Sequence, residues 1–370
     1  MLWIVIAIMA VLIAGAGALL CHPMFGKLPS GERLKRIQKS PNHRDGAFVN
    51  RVPKPHMVEG ASPLKMGWEF LFKRKNRLRP AARIPARKTD FASLPPDRDA
   101  VIWFGHSSLF LQIGGKKFLV DPNFTPYASP FFWRTYSFPG TDLYSPDEIP
   151  FIDCLLITHD HFDHLNYDTI TAIKDKIGLV VCGLGVGEHL EYWGIPAEKI
   201  NETDWGDFTT LSEGLVLHTL PTHHFSGRTL WKRNPSIWAS FVLETPTRQL
   251  YLGGDSGYGE HFADIGKRFG PFDLAFLENG QYDPNWKHNH LFPEETLLAA
   301  RELRAARVFP IHAGRFVLAN HPWSDPYIRI AELAGNGGME LVTPVIGETV
   351  FLDELDKPEK TFANWWEGIE

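Results

Sequence analysis

The sequence predicts an α/β domain, and three observations carry that expectation. From residue 100 onward, short apolar runs alternate with helical stretches, the order that layered α/β folds require. Several of those runs end on His or Asp just before a loop, as in Thr158-His159, Gly254-Asp255 and Ile311-His312. The chain is 44% hydrophobic and 22% charged over 370 residues. Its mean hydropathy is −0.17, so it is neither disordered, nor collagen-like, nor a polytopic membrane protein.

The N-terminal part reads differently from the rest. Residues 2–20 (LWIVIAIMAVLIAGAGALL) hold no charge and, at 1.5 Å per residue, nearly span a bilayer core of about 30 Å. Residues 1–22 are therefore expected to be an uncleaved hydrophobic anchor. A signal segment is the alternative, since Ala14–Ala18 offers small residues, but no basic region precedes the run. Residues 23–95 form a basic arm: positions 24–90 carry 17 Lys and Arg against five acids, or +12 in a chain of net charge −5. Such an arm meets an anionic membrane surface, or packs on its own acidic body. Its place after the apolar run favours the cytoplasmic over the periplasmic side. Within it, residues 64–79 suggest a helix with an apolar face that lies on a membrane or caps the domain.

The body is expected over 96–358, with a short tail at 359–370. It opens as a β-meander, AVIWFGHSSLFLQIG then KKFLVDP, with Gly114-Gly115 as the hairpin turn. FIDCLLITH (151–159), a helix after Tyr167, GLVVC (178–182) and a short helix near Glu188–Trp193 follow. A second series comprises LVLHTLP, IWASFVLET, RQLYLGGD, FDLAFLEN, a helix near Pro293–Arg304, and ARVFPIH. Cys154 and Cys182 lie in apolar runs and are read as small buried residues; three cysteines without a CxxC pair make no disulfide framework or thiolate metal site. Gly183, Gly185 and Gly187 do not meet GxGxxG, so no nucleotide loop is read there.

Chemistry concentrates in Thr158-His159-Asp160-His161-Phe162-Asp163-His164, an HxHxDH motif closing an apolar strand. His159 and His161 reach one ion, while Asp163 and His164 turn toward a second; imidazole and carboxylate donors together suit zinc, with iron or manganese as alternatives. Later segments supply the missing ligands. Pro221-Thr222-His223-His224 offers His224 as a third imidazole, with His223 as the alternative. Gly253-Gly254-Asp255 offers a carboxylate with room for a metal bridge, and Pro310-Ile311-His312 a last histidine. Each alone is an ordinary loop residue; their order after the motif, each at the end of an apolar run, points to one site. His106 is expected to support the site or the core rather than bind metal.

With these motifs in place, residues 97–352 resemble the metallo-β-lactamase superfamily. The segments GHSSLFLQIGGKKFLVDP, PTHHFSGR, GGDSGYG, HNHLFPEE and FPIHAGRF are similar to the group of N-acyl-phosphatidylethanolamine-hydrolysing phospholipases D. Residues 23–50 also look like the leader of bacterial members. The resemblance implies a four-layer αββα sandwich and two zinc ions. The first would be held by His159, His161 and His224, the second by Asp163, His164 and His312, with Asp255 bridging. It further implies that His290, or failing that His288, lies beside the metals. Ala313 and Arg315 depart from relatives, which often carry an aromatic residue and a threonine there, so the resemblance carries metal binding over but not the shape and charge of the substrate pocket.

Two ions about 3.5–4 Å apart can share a hydroxide and bring its pKa near 7, a nucleophile for a phosphodiester whose oxygens the same ions neutralise. Asp163 would orient it, and His290 would assist the leaving group. The expected function is thus a membrane-associated dizinc phosphodiesterase of phospholipase D type acting on N-acyl-phosphatidylethanolamine or a related phospholipid. Alternatives are a hydrolase of a lactone, thioester or cyclic phosphate, and a non-catalytic tethered metal-binding scaffold. Partners are the phospholipid and an anionic membrane surface; the basic arm would also suit nucleic acid, but no further RNA-binding module is visible, so a nuclease is the weaker reading and no nucleic acid is expected, and a homodimer is one option for assembly. The loop 125–140, with Phe131, Phe132 and Trp133, is expected either to enter lipid headgroups or to cover the core.

Overall fold

Successive residues of the long apolar runs point to opposite faces, and both faces are apolar, so these runs form strands buried on both sides. The computed structural model describes every residue except 1, 2, 5, 7, 8, 11–14, 16, 18, 73–76, 131, 230, 358 and 370. The arm carries helix α1 (Gly31–Gln38), a hairpin of β1 (His43–Arg44) and β2 (Ala47–Phe48), and helix α2 (Pro63–Phe72). Next come β3 (Ala100–Trp103), β4 (Leu109–Ile113), β5 (Lys116–Val120), β6 (Ile152–Ile157), α3 (Tyr167–Ile173), β7 (Ile177–Gly183), α4 (Gly187–Tyr192) and β8 (Ile200–Thr203). The second half holds β9 (Phe208–Ser212), β10 (Leu215–Leu220), β11 (Ser240–Glu244), β12 (Gln249–Leu252), α5 (His261–Phe269), β13 (Leu274–Glu278) and α6 (Pro293–Glu302). It closes with β14 (Arg307–Ile311), α7 (Asp325–Gly337), β15 (Glu340–Leu341) and β16 (Thr349–Phe351).

Two seven-stranded sheets result, ordered β16-β3-β4-β5-β6-β7-β8 and β15-β14-β13-β12-β11-β10-β9. Each is antiparallel on one side and parallel on the other. Leu109, Leu111 and Ile113 face Phe241, Leu243, Leu274 and Phe276 in the core between the sheets. Phe110, Leu155 and Ile157 pack outward under Ile170 and Leu190 of α3 and α4. Val242, Ala275 and Leu277 pack outward under Phe262 of α5 and Ala299 of α6. The expected αββα layering is therefore present. Gly114 and Gly115 both have positive φ and make the β4–β5 turn that only residues free of Cβ accept readily.

The structure gives the N-terminal anchor no support: among the described residues no helix is long and apolar enough to cross a membrane. Much of the segment 2–20 lies outside the described residues. The arm lies against the body, where Arg33 pairs with Glu188, Glu191 and Glu202 at 2.7, 2.9 and 2.6 Å. Near the other end of the chain, Trp365 and Trp366 are buried in the core between the sheets. The apolar face of α2 is uncovered, with Leu64 at 88%, Trp68 at 65% and Phe72 at 63% exposure. In the loop 125–140, Phe132 and Trp133 are exposed and Phe138 is buried, while Phe131 lies outside the described residues.

Candidate metal centre

Strand ends from both sheets meet at one edge, and each hands over a ligand type. His159 follows β6, His224 follows β10, Asp255 follows β12 and His312 follows β14. Close approach is built in: Gly254 has φ +60°, and a Cβ there would meet the Thr158 side chain at 2.9 Å. His106 and His312 also sit at positive φ, locked to each other's segments by His106 N–H to Ala313 O (3.0 Å) and His312 N–H to His106 O (2.9 Å). Backbone held in sparsely populated conformations is typical of sites over-determined by their surroundings.

His159, His161, His224 and Asp255 form one group whose ligand atoms all lie within 4.8 Å of one another, and His106, Asp163, His164 and His312 form a second. All seven residues expected to bind metal are in these groups. His159 Nε2 and His224 Nε2 converge on His161 Nδ1 at 2.8 and 3.3 Å. Asp255 Oδ2 lies 3.8 Å from His159, 3.7 Å from His224 and 3.2 Å from His164. Asp255 Oδ1 comes within 3.1 Å of His312 Nδ1, so this carboxylate faces both groups.

Nitrogen atoms aimed at one another and at shared oxygens suit divalent cations. Two orphans support that fit: His164 Nε2 and Asp255 Oδ1 are buried and form no hydrogen bond. Burial and neighbouring imidazoles hold His159, His224 and His312 well below the usual histidine range, which leaves their nitrogens unprotonated for coordination. Burial lifts the Asp255 carboxyl to about 6 against the pull of His164. Burial also opposes charge on His164, yet the Asp255, Asp163 and Asp121 carboxylates raise it well above the usual range. A bound cation would take over that positive charge.

Supporting residues that sequence reasoning missed surround these ligands. Asp121 accepts from His164 Nδ1 at 2.8 Å and from Thr158 N and Oγ1 at 2.8 and 2.6 Å. Asn289 O accepts from His224 Nδ1 at 3.1 Å, and the Asn50 side chain of the arm grips the His224 backbone on both sides. Asp160 accepts from Gly227 N (2.7 Å) and Ser236 Oγ (2.8 Å); although burial opposes its charge, His189, His161 and the Gly227 amide hold it down to about 2. Arg228 donates to Asp160 O, Leu165 O and Met24 O, tying the motif loop to the arm.

His106 is fully buried and donates from Nε2 to Asp163 Oδ2 at 2.8 Å, so it orients that carboxylate from within the second group. His290 reaches the edge of the centre, its Nδ1 4.0 Å from Asp255 Oδ2 and 2.7 Å from Glu278 Oε2. Glu278 is buried at the end of β13, and its other oxygen accepts from Ser256 N and Leu291 N at 3.0 and 2.8 Å. His223 and His288 belong to neither ligand group. Arg315 is buried and donates to Phe104 O, Asn123 O, Thr125 O and Asp142. It clamps both ends of the aromatic loop.

Two sheets thus bring buried His and Asp groups able to hold metal to their shared edge. A model described as a beta-lactamase superfamily domain matches residues 116–313. Protein Rv0906 of Mycobacterium tuberculosis is 36% identical over 331 residues, covering 85% of each chain. N-acyl-phosphatidylethanolamine-hydrolyzing phospholipase D 1 of Caenorhabditis elegans is 30% identical over 250 residues, 62% of this chain and 68% of that protein. Among solved structures, Igni18, a metallo hydrolase from Ignicoccus hospitalis, matches with a TM-score of 0.52 at 20% identity, covering 68% of this chain and 97% of its own. The chain belongs to the metallo-β-lactamase superfamily of metal-dependent hydrolases.

Proposed function

We propose that the chain is a membrane-associated phosphodiesterase of phospholipase D type that works with two zinc ions on N-acyl-phosphatidylethanolamine or a related phospholipid. The observation that carries this reading is the pair of donor groups facing the single carboxylate of Asp255, with His290 held at their rim. Two divalent ions bound there would supply Lewis acidity to the phosphodiester and an activated water for in-line attack. Asp163, with one oxygen fixed by His106, is set to orient that water. His290 commits Nδ1 to Glu278, so Nε2 is the atom left to exchange a proton with the reacting group.

The exposed Leu64, Trp68 and Phe72 on α2 and Phe132 and Trp133 on the aromatic loop support an interfacial role, since Trp and Phe favour the headgroup region. The segment 2–20 is proposed as the anchor and the cytoplasmic leaflet as the surface. The name of the Caenorhabditis elegans relative supports the lipid class. The test is turnover by the full-length, zinc-loaded protein of N-acyl-phosphatidylethanolamine in vesicles, beside a lactone and a thioester. Release of the free headgroup amide and phosphatidic acid is expected. His159→Ala and Asp255→Ala should each reduce it at least about a hundredfold, as loss of an essential group does. Hydrolysis of the lactone or thioester alone would overturn the reading.

A further inference from the structure

The first residues after the apolar run, Pro23 to Lys27, supply no metal ligand, yet they are fastened around the loop that does. Trp193 Nε1 donates to Pro23 O at 2.8 Å. Arg228 Nε and Nη2 both donate to Met24 O, at 3.0 and 2.6 Å. The Phe25 ring meets Phe162 edge-on, with centroids 5.6 Å apart, and Phe162 stands between His161 and Asp163 in the motif. The Lys27 N–H donates to His189 Nδ1 at 3.0 Å.

Two of these contacts run on to the motif. Arg228 is 4% exposed, and among the described residues its hydrogen bonds all end on backbone carbonyls. Its Nη1 donates to Asp160 O at 2.7 Å and to Leu165 O at 2.8 Å, the carbonyls that bracket His161, Asp163 and His164. A buried guanidinium depends on such acceptors, because each one lost leaves a desolvated donor. Met24 O therefore steadies the group that fixes both ends of the loop. The second path runs through an imidazole. Because His189 Nδ1 accepts from Lys27, the ring proton sits on Nε2, which faces Asp160 Oδ2 at 3.4 Å. Asp160 lies between His159 and His161. The fit of the segment is close: Gly26 has φ +72°, and a Cβ there would meet His189 Nδ1 at 2.0 Å.

We propose that Pro23–Lys27 is a positioning strap for the metal loop, so that seating of the strap and occupancy of the metal centre form one coupled equilibrium. With the strap seated, His159, His161, Asp163 and His164 stand already arranged. With it lifted, binding a cation must also order their loop, and affinity falls. Coupling of this kind is reciprocal, so bound metal tightens the strap by the same factor. The coupling goes beyond the phosphodiesterase reading and holds whatever substrate the centre takes.

The test uses the full-length protein and reads metal binding rather than turnover. Gly26→Val displaces the strap from His189 without touching a ligand and should weaken zinc binding about tenfold in chelator competition, as loss of support around a ligand set does. Phe25→Ala, at a half-buried position, should shift zinc affinity in the same direction with the fold retained. In the unaltered protein, zinc should slow hydrogen exchange at the Lys27 amide about tenfold, by reciprocity. That measurement decides the matter even where Gly26→Val does not fold. A strap that merely stabilises the fold would lower the melting temperature of both variants and leave zinc affinity as it was. That result, or exchange at Lys27 indifferent to zinc, would overturn the proposal.

Discussion

Asp121 is a small residue with a large share in the centre, because one carboxylate orients His164 and fastens Thr158, the residue before the first ligand. Such partners fix the tautomer and direction of a ligating histidine. Asp121→Asn should weaken metal affinity about 10–100-fold by chelator competition, while leaving the fold intact. Glu278 has the parallel task for His290. Burial pushes its carboxyl well above the ordinary range despite two backbone N–H groups that pull the other way, which favours a proton shared with His290 Nδ1. For the proposed phosphodiesterase, Glu278→Gln should lower kcat by about tenfold or more with KM little changed, because the loss would lie in orienting a proton-transfer group and not in holding substrate.

At the scale of elements, the arm is the part whose role differs most from its composition. A count of basic residues predicts attraction to anions, yet Arg33 of α1 is spent on three carboxylates, two of them on the nearly buried Glu188 and Glu202. Arg33→Ala should destabilise the chain by about 2–3 kcal/mol in urea unfolding, somewhat below the loss for a fully buried pair because Arg33 keeps some solvent contact. Burial opposes the charge of Glu188, but Lys27 and Arg33 hold its folded value below the ordinary 4.5. Its contribution should therefore be complete above that pH and disappear as pH falls through the lower folded value. The motif at 159–164 was legible because its ligands recur one or two residues apart, and the later ligands because they end apolar runs. Asp121, Glu278 and Asn50 carried no such signal, each a polar residue whose partner lies on a distant segment, and Asp160, though inside the motif, gave no sign of its partners Gly227 and Ser236. Edge strands β15 and β16, of two and three residues, were too short to announce themselves, β8 (INET) and β9 (FTTLS) carry too few apolar residues to read as runs, and α7 went unread although its apolar residues recur with helical spacing.

For the molecule as a whole, cations bound at this edge would act on stability as well as chemistry. Anything bound only by the folded chain stabilises it, by about 4 kcal/mol at a thousandfold excess over Kd. Removing metal with a chelator should lower the melting temperature, and returning zinc should restore it, as scanning calorimetry would record. His159, His161, Asp163 and His164 hang from the first sheet, whereas His224, Asp255 and His312 hang from the second. Metal held there would act as a rivet across a seam between two half-molecules. Stripped of it, the protein should come apart in two stages under denaturant, the halves separating along that join before either half loses its own weave.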